Sequence, residues 1–130
     1  MIGAKLAKPD KFCLNFMGDG AFGMSGLDIE TSVRIGAPIT TIVLNNGDMA
    51  TYPGGYPVAR QQFSVTSMTG DYAKIAEGLG AVGITVTKPE EVAPALKKAQ
   101  QLNAEGKTVL LDIHSNMEAR RSRFDQGAGG

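Results

Sequence analysis

Residues 39–44 read ITTIVL, six positions without a charge, five of them β-branched. A strand with one wet face alternates apolar and polar residues, whereas an unbroken run of this kind fits a strand covered on both faces. Such strands belong to parallel sheets with helices above and below, so the run points the chain toward an α/β architecture. The neighbouring segments agree. Residues 11–17 form a strand-like run ending at Gly18, and residues 84–87 and 109–113 are two more short apolar runs. Helical patterns lie between them. Ser25 with Asp28 forms a capping box opening a helix to about Ile35, with Gly36 and Pro38 as its stop. Tyr72, Ile75, Ala76 and Leu79 make an apolar stripe that Gly80 can end. Thr87 and Glu90 cap a helix whose Val92, Leu96 and Ala99 face inward and which ends near Gly106. Pro94 is expected to delay or bend it. Residues 47–70 hold glycines and prolines without a period and are expected to form a long loop. The predicted fold is α/β, a doubly wound parallel sheet in a three-layer α/β/α sandwich.

At 130 residues the chain suffices for one domain with one core. Thirteen basic and thirteen acidic side chains cancel, which argues against nucleic acid and anionic membranes as partners. No run approaches the roughly 20 apolar residues of a membrane span, and residues 1–11 lack the apolar core of a signal peptide. The lone cysteine, Cys13, excludes an internal disulfide and sits in an apolar run, so it reads as a buried, inert thiol. A soluble, cytoplasmic protein is expected.

The turn after the first strand raises a chemical question. Residues 17–26, MGDGAFGMSG, place Gly18, Gly20 and Gly23 as G-x-G-x-x-G, a pattern that lets bare backbone approach a phosphate. Asp19 puts a carboxylate inside it, next to where the anion would lie. In open parallel sheets ligands bind beyond the carboxyl ends of the strands, and the second strand ends there in Asn45 and Asn46. Neighbouring strands run about 4.8 Å apart, so Asp19 and one of these asparagines can reach a single ion. A carboxylate and an amide oxygen, with positions open for phosphate oxygens, describe a magnesium site. A divalent cation bridging Asp19 and a diphosphate turns repulsion into attraction. A nicotinamide or flavin dinucleotide would need an acidic residue at the end of the second strand, where Asn45 and Asn46 stand.

GDG, then 24 residues, then NN resembles the signature of the thiamine diphosphate-dependent enzymes. The stretch GDGAFGMSGLDIETSVRIGAPITTIVLNNG, the helix GDYAKIAEGLGA and the strand TVLLDIH are similar to the diphosphate-binding domain of one branch. That branch contains acetolactate synthase, 2-oxo acid decarboxylases and 2-hydroxyacyl-CoA lyases. The resemblance implies thiamine diphosphate and Mg2+ as cofactors, with the side chains of Asp19 and Asn46 and the backbone carbonyl of Asp48 on the metal. It implies that backbone groups of Gly18, Gly20 and Ala21 line the diphosphate, and that Met49 and Tyr52 lie near the thiazolium ring and substrate. The loop over residues 47–70 is expected to order when the cofactor binds and to close over the thiazolium ring.

In that family the domain begins well before the GDG turn, whereas 17 residues precede Gly18 here. The resemblance therefore implies a partial cofactor-binding domain over residues 1–115, lacking its first β-α portion, and a tail over 116–130. It also implies a larger or split lyase or transferase acting on a small 2-oxo acid or acyl-CoA, and a homo-oligomer. The glutamate that activates the cofactor belongs to a separate pyrimidine-binding domain, so no catalytic residue is expected in this chain. The alternative is a non-catalytic phosphate-binding or regulatory module. His114 reads as a strand-end imidazole, Asp71, Glu90 and Glu91 as charges at helix N-termini, and Arg120, Arg121 and Arg123 as part of a solvated tail.

Overall fold

In the computed structural model, residues 1–49 and 56–117 are described. Four strands, β1 (Leu14–Gly18), β2 (Thr40–Asn45), β3 (Val82–Val86) and β4 (Val109–His114), form one parallel sheet in the order β1-β2-β4-β3. Thr40 sits opposite Leu14 on one side and Val109 on the other, so the ITTIVL run is the sheet's interior strand as its composition requires. Residues 40–43 are all buried.

The helices are α1 (Ile2–Ala7), α2 (Asp19–Ser25), α3 (Asp28–Arg34), α4 (Pro57–Phe63), α5 (Tyr72–Gly78) and α6 (Pro89–Ala104). Ala95, Ala99 and Leu102 of α6 pack on Ile42, Val86, Val109 and Leu111. Phe22 of α2, Ile29 of α3 and Tyr72 and Ala76 of α5 pack with Val43 and Leu110 in a second cluster. The two clusters lie on opposite faces, because the side chains of Ile42 and Val43 alternate. Right-handed crossovers account for the division. The connections β1→β2 and β2→β3 run in one direction along the sheet, and β3→β4 returns, which sends α6 to the other face.

α3, α5 and α6 end alike, with Gly36, Gly80 and Gly106 in the left-handed conformation. At Gly80 the glycine N–H reaches back to Glu77 and the Ala81 N–H to Ala76, and the chain then turns into β3. Cys13 is buried and free.

Several local expectations need correction. The helix after β1 starts at Asp19 rather than near Ser25, and Ser25 ends α2 instead of capping α3. The Ile29 and Glu30 amides bond to the Gly26 and Leu27 carbonyls, so one helical turn feeds the next and leaves Ser25 no donors to cap. α6 is capped from Glu91, not Glu90: its carboxylate accepts the Thr87 and Lys88 amides at 3.1 and 3.2 Å, and Pro89 sets the first turn. The helix does not start late: it runs from Pro89 through Pro94 to Ala104. The amide that Pro94 lacks would have served only the Glu90 carbonyl in the first turn. In α5, Tyr72, Ala73 and Ala76 are buried while Ile75 is exposed, because small alanines let the helix lie close on β3. Residues 47–70 are not all loop, since Pro57 opens α4. Residues 1–11 contain α1, for which the sequence carries no clear helix signal. Its Lys5 ammonium bonds the Pro9 and Lys11 carbonyls at 2.8 Å each. Tyr52 and residues 118–130, with Arg120, Arg121 and Arg123, lie outside the described residues.

Candidate functional site

The carboxyl ends of β1 and β2 are the adjacent edge on which the sequence placed its chemistry. Gly18 is the extended cap residue of α2, Gly20 and Ala21 fall in its first turn, and Asp19 begins it. Asp19 is 5% exposed. One of its carboxylate oxygens accepts the Gly20 amide at 2.8 Å and the other accepts the Gly47 amide at 2.7 Å. Gly47 has φ +73°, a left-handed turn straight after β2 that aims its N–H back across the edge. A Cβ on Gly20 would lie 3.3 Å from Met49 Cγ and 3.8 Å from Met68 Sδ, so the bare backbone of the turn sits close under two methionines.

The two asparagines have different work. Asn45 donates from Nδ2 to Asp112 Oδ1 at 3.0 Å, and the other Asp112 oxygen accepts the Tyr72 amide at 3.2 Å. Asn46 Oδ1 accepts the Asp48 amide at 3.0 Å, bracing the turn that carries Asp48. Asn45 is thus occupied in the sheet, and Asn46 stands beside Asp19's partner Gly47. The segment then meets a returning arm: Met49 donates to the Thr66 carbonyl at 2.8 Å and Met68 to that of Gly47 at 2.9 Å.

Two features escaped the sequence analysis. Arg60 of α4 pairs with Asp48 Oδ2 at 2.5 Å, while Asp48 Oδ1 and the Thr66 hydroxyl are buried with no hydrogen-bond partner among the described residues. Pro57 could have signalled the start of α4, but not the pairing of its Arg60 with Asp48. The second is Tyr72, whose ring meets that of Phe22 edge-on at 5.0 Å. Burial, and then the charges of Asp19 and Asp112, push its phenol above the usual value of 10. It therefore stays neutral beside the carboxylates. His114 ends β4, half exposed, with Nε2 3.6 Å from the Asp112 carboxylate, a strand-end imidazole as expected. Asp71 caps α5, as its helix-start reading required, by accepting the Lys74 amide at 2.9 Å.

Asp19 is a buried carboxylate with no ion-pair partner among the described residues. Two amide bonds offset part of its desolvation, and each oxygen retains acceptor capacity. Nor do three or more His, Cys, Asp and Glu side chains group into a metal cage among those residues. One carboxylate, one amide oxygen and one carbonyl instead suit a magnesium ion that takes its remaining ligands from phosphate. The donor set fits the group. A 560 Å3 concavity lined by Lys5, Asn103 and Gly106 lies at the opposite, amino edge of the sheet and has no part in this arrangement.

Residues 1–113 match the family model described as thiamine pyrophosphate enzyme, C-terminal TPP binding domain. A sulfoacetaldehyde acetyltransferase of Alcaligenes xylosoxydans xylosoxydans is 36% identical over 121 residues, 91% of this chain and 20% of that protein. An acetolactate synthase of Bacillus subtilis is 39% identical over 119 residues, 86% of this chain and 19% of the relative. Among solved structures, the thiamine diphosphate-dependent 4-hydroxybenzoylformate decarboxylase of Rhodococcus jostii RHA1 superposes with a TM-score of 0.76 at 26% identity. That match covers 92% of this chain and 22% of the decarboxylase. The chain spans about a fifth of the length of the proteins it matches.

Proposed function

This chain belongs to the thiamine pyrophosphate enzymes, as a C-terminal TPP-binding domain, and from that premise we propose that it anchors the magnesium-diphosphate end of the cofactor. The side chains of Asp19 and Asn46 and the backbone carbonyl of Asp48 hold Mg2+. Backbone groups of Gly18, Gly20 and Ala21 line the diphosphate, and Met49 lies toward the thiazolium end. One observation carries this reading: Asp19 is buried, both its oxygens are oriented by amides, and no described side chain neutralises it.

When bound, thiamine diphosphate supplies an electron sink for breaking or forming a carbon–carbon bond beside a carbonyl. This chain's contribution is position. A carboxylate already held by Gly20 and Gly47 loses little freedom when it takes the metal, and a fixed diphosphate fixes the reactive end of the cofactor. No residue here is assigned an acid–base step. The whole enzyme we propose is a lyase or transferase acting on a small 2-oxo acid or acyl-CoA, assembled as a homo-oligomer. Its pyrimidine-binding domain supplies the activating glutamate. No described helix is long and apolar enough to cross a membrane. The free Cys13 suits a reducing compartment, and we place the enzyme in the cytoplasm. Titrating thiamine diphosphate into the assembled enzyme with and without Mg2+ tests the reading. Binding that needs the cation supports it, and equal binding without any divalent cation overturns it.

A further inference from the structure

We propose that Arg60 is a positioning residue for the metal: its ion pair with the Asp48 side chain holds the Asp48 backbone carbonyl where the cation takes it. The inference rests on the reading above, in which that carbonyl is a ligand. Asp48 is 9% exposed, and Arg60 is its one charged partner among the described residues. Among the described residues its second oxygen has no hydrogen-bond partner, and neither does the Thr66 hydroxyl on the returning arm. A buried carboxylate in that state is sensitive to loss of its cation.

The ion pair has an unusual mechanical setting. No residue of α4 is buried, and the Arg60 ion pair links the helix to the sheet edge. Asp48 itself sits inside a short web: its amide goes to Asn46, Met49 bonds Thr66, and Met68 bonds Gly47. Without Arg60 the carboxylate regains hydration only if residues 47–49 swing outward. That motion carries the Asp48 carbonyl away and pulls on the Gly47 amide that orients Asp19. Arg60 therefore acts on two of the three metal ligands without touching the metal.

The test has two readouts. Hydrogen exchange of the full chain without cofactor follows the Met49 and Met68 amides, which are expected to exchange faster in Arg60→Ala and near the wild-type rate in Arg60→Lys. In the assembled enzyme, the Mg2+ concentration that half-saturates thiamine diphosphate binding is expected to rise about tenfold in Arg60→Ala, the usual effect of removing a partner of a metal ligand. Arg60→Lys should recover most of it. Faster exchange with an unchanged Mg2+ requirement would reduce Arg60 to a merely structural role and overturn the proposal. So would no change in either. If Arg60→Ala does not fold, the double variant Asp48→Asn, Arg60→Gln leaves no unpaired charge and takes the same measurement. A raised Mg2+ requirement there supports the proposal and an unchanged one overturns it. Failure of the functional reading itself shows separately, in wild-type enzyme that binds the cofactor without a cation, and removes this inference with it.

Discussion

The carboxylate of Asp19 accepts the amide of Gly47 at 2.7 Å, joining the residue that follows β1 to the residue two past the end of β2. The bond spans the strand edge at which a parallel sheet binds its ligands. It needs a residue that turns left-handed just after β2, and Gly47 supplies it. Sheet register, turn chemistry and the proposed ligand site thus meet in one hydrogen bond. The aspartate of the G-D-G turn and the glycine of the N-N-G turn are not separate motifs but two halves of one constellation.

The packing of α5 on the sheet makes a prediction independent of any cofactor. A Cβ on Gly83 of β3 would run into the Ala73 carbonyl, which is backbone and cannot step aside alone. Gly83→Ala is expected to destabilise the fold by about 1–3 kcal/mol or more through overpacking, read from urea unfolding. A loss under half a kilocalorie per mole would mean that α5 packs less closely than described.

Much of this was legible in the sequence, for identifiable reasons. Long-range constraint spoke clearly: ITTIVL had to be interior, and G-D-G and N-N had to share an edge once the strands were parallel. Short-range capping was read less well. Ser25 and Glu90 carry the right chemistry for caps, but Gly26 let α2 run on into α3, and Pro89 shifted the start of α6 so that Glu91 was in reach. Ile75 fitted the stripe by spacing, yet a seven-residue helix pressed on β3 through Ala73 and Ala76 has no room to bury it. The Asp48–Arg60 pair was invisible, because its members are twelve residues apart across a segment without periodicity.

Stability should depend on pH through the cap of α5. Asp71 accepts the Lys74 amide, and that bond, then the Lys74 side chain, holds its carboxyl below the ordinary 3.8. A group held as its anion in the fold stabilises the fold above its ordinary pKa and loses that contribution as pH falls through the lowered value. Asp71→Ala is expected to lower the urea midpoint at pH 7, and the gap from wild type should narrow as pH drops below 3.8. A gap that does not depend on pH would contradict the cap.

Catalysis should require more than these residues. The activating glutamate is assigned to a pyrimidine-binding domain, so residues 1–130 with thiamine diphosphate and Mg2+ are expected to turn over neither 2-oxo acids nor acyl-CoA compounds. Steady product formation by the purified chain would force a search for a base among Asp48, Glu77 and His114.

The central claim is that Asp19 carries the cation that carries the diphosphate, and calorimetric titration of thiamine diphosphate into wild-type and Asp19→Ala enzyme, at fixed Mg2+, tests it most directly. Removing one partner of a buried charge pair costs about 3–5 kcal/mol, so the variant is expected to bind the cofactor more weakly by a factor of about 10² to 10⁴. Its response to added Mg2+ should be lost as well. Cofactor affinity within a few-fold of wild type, still rising with Mg2+, would contradict the account.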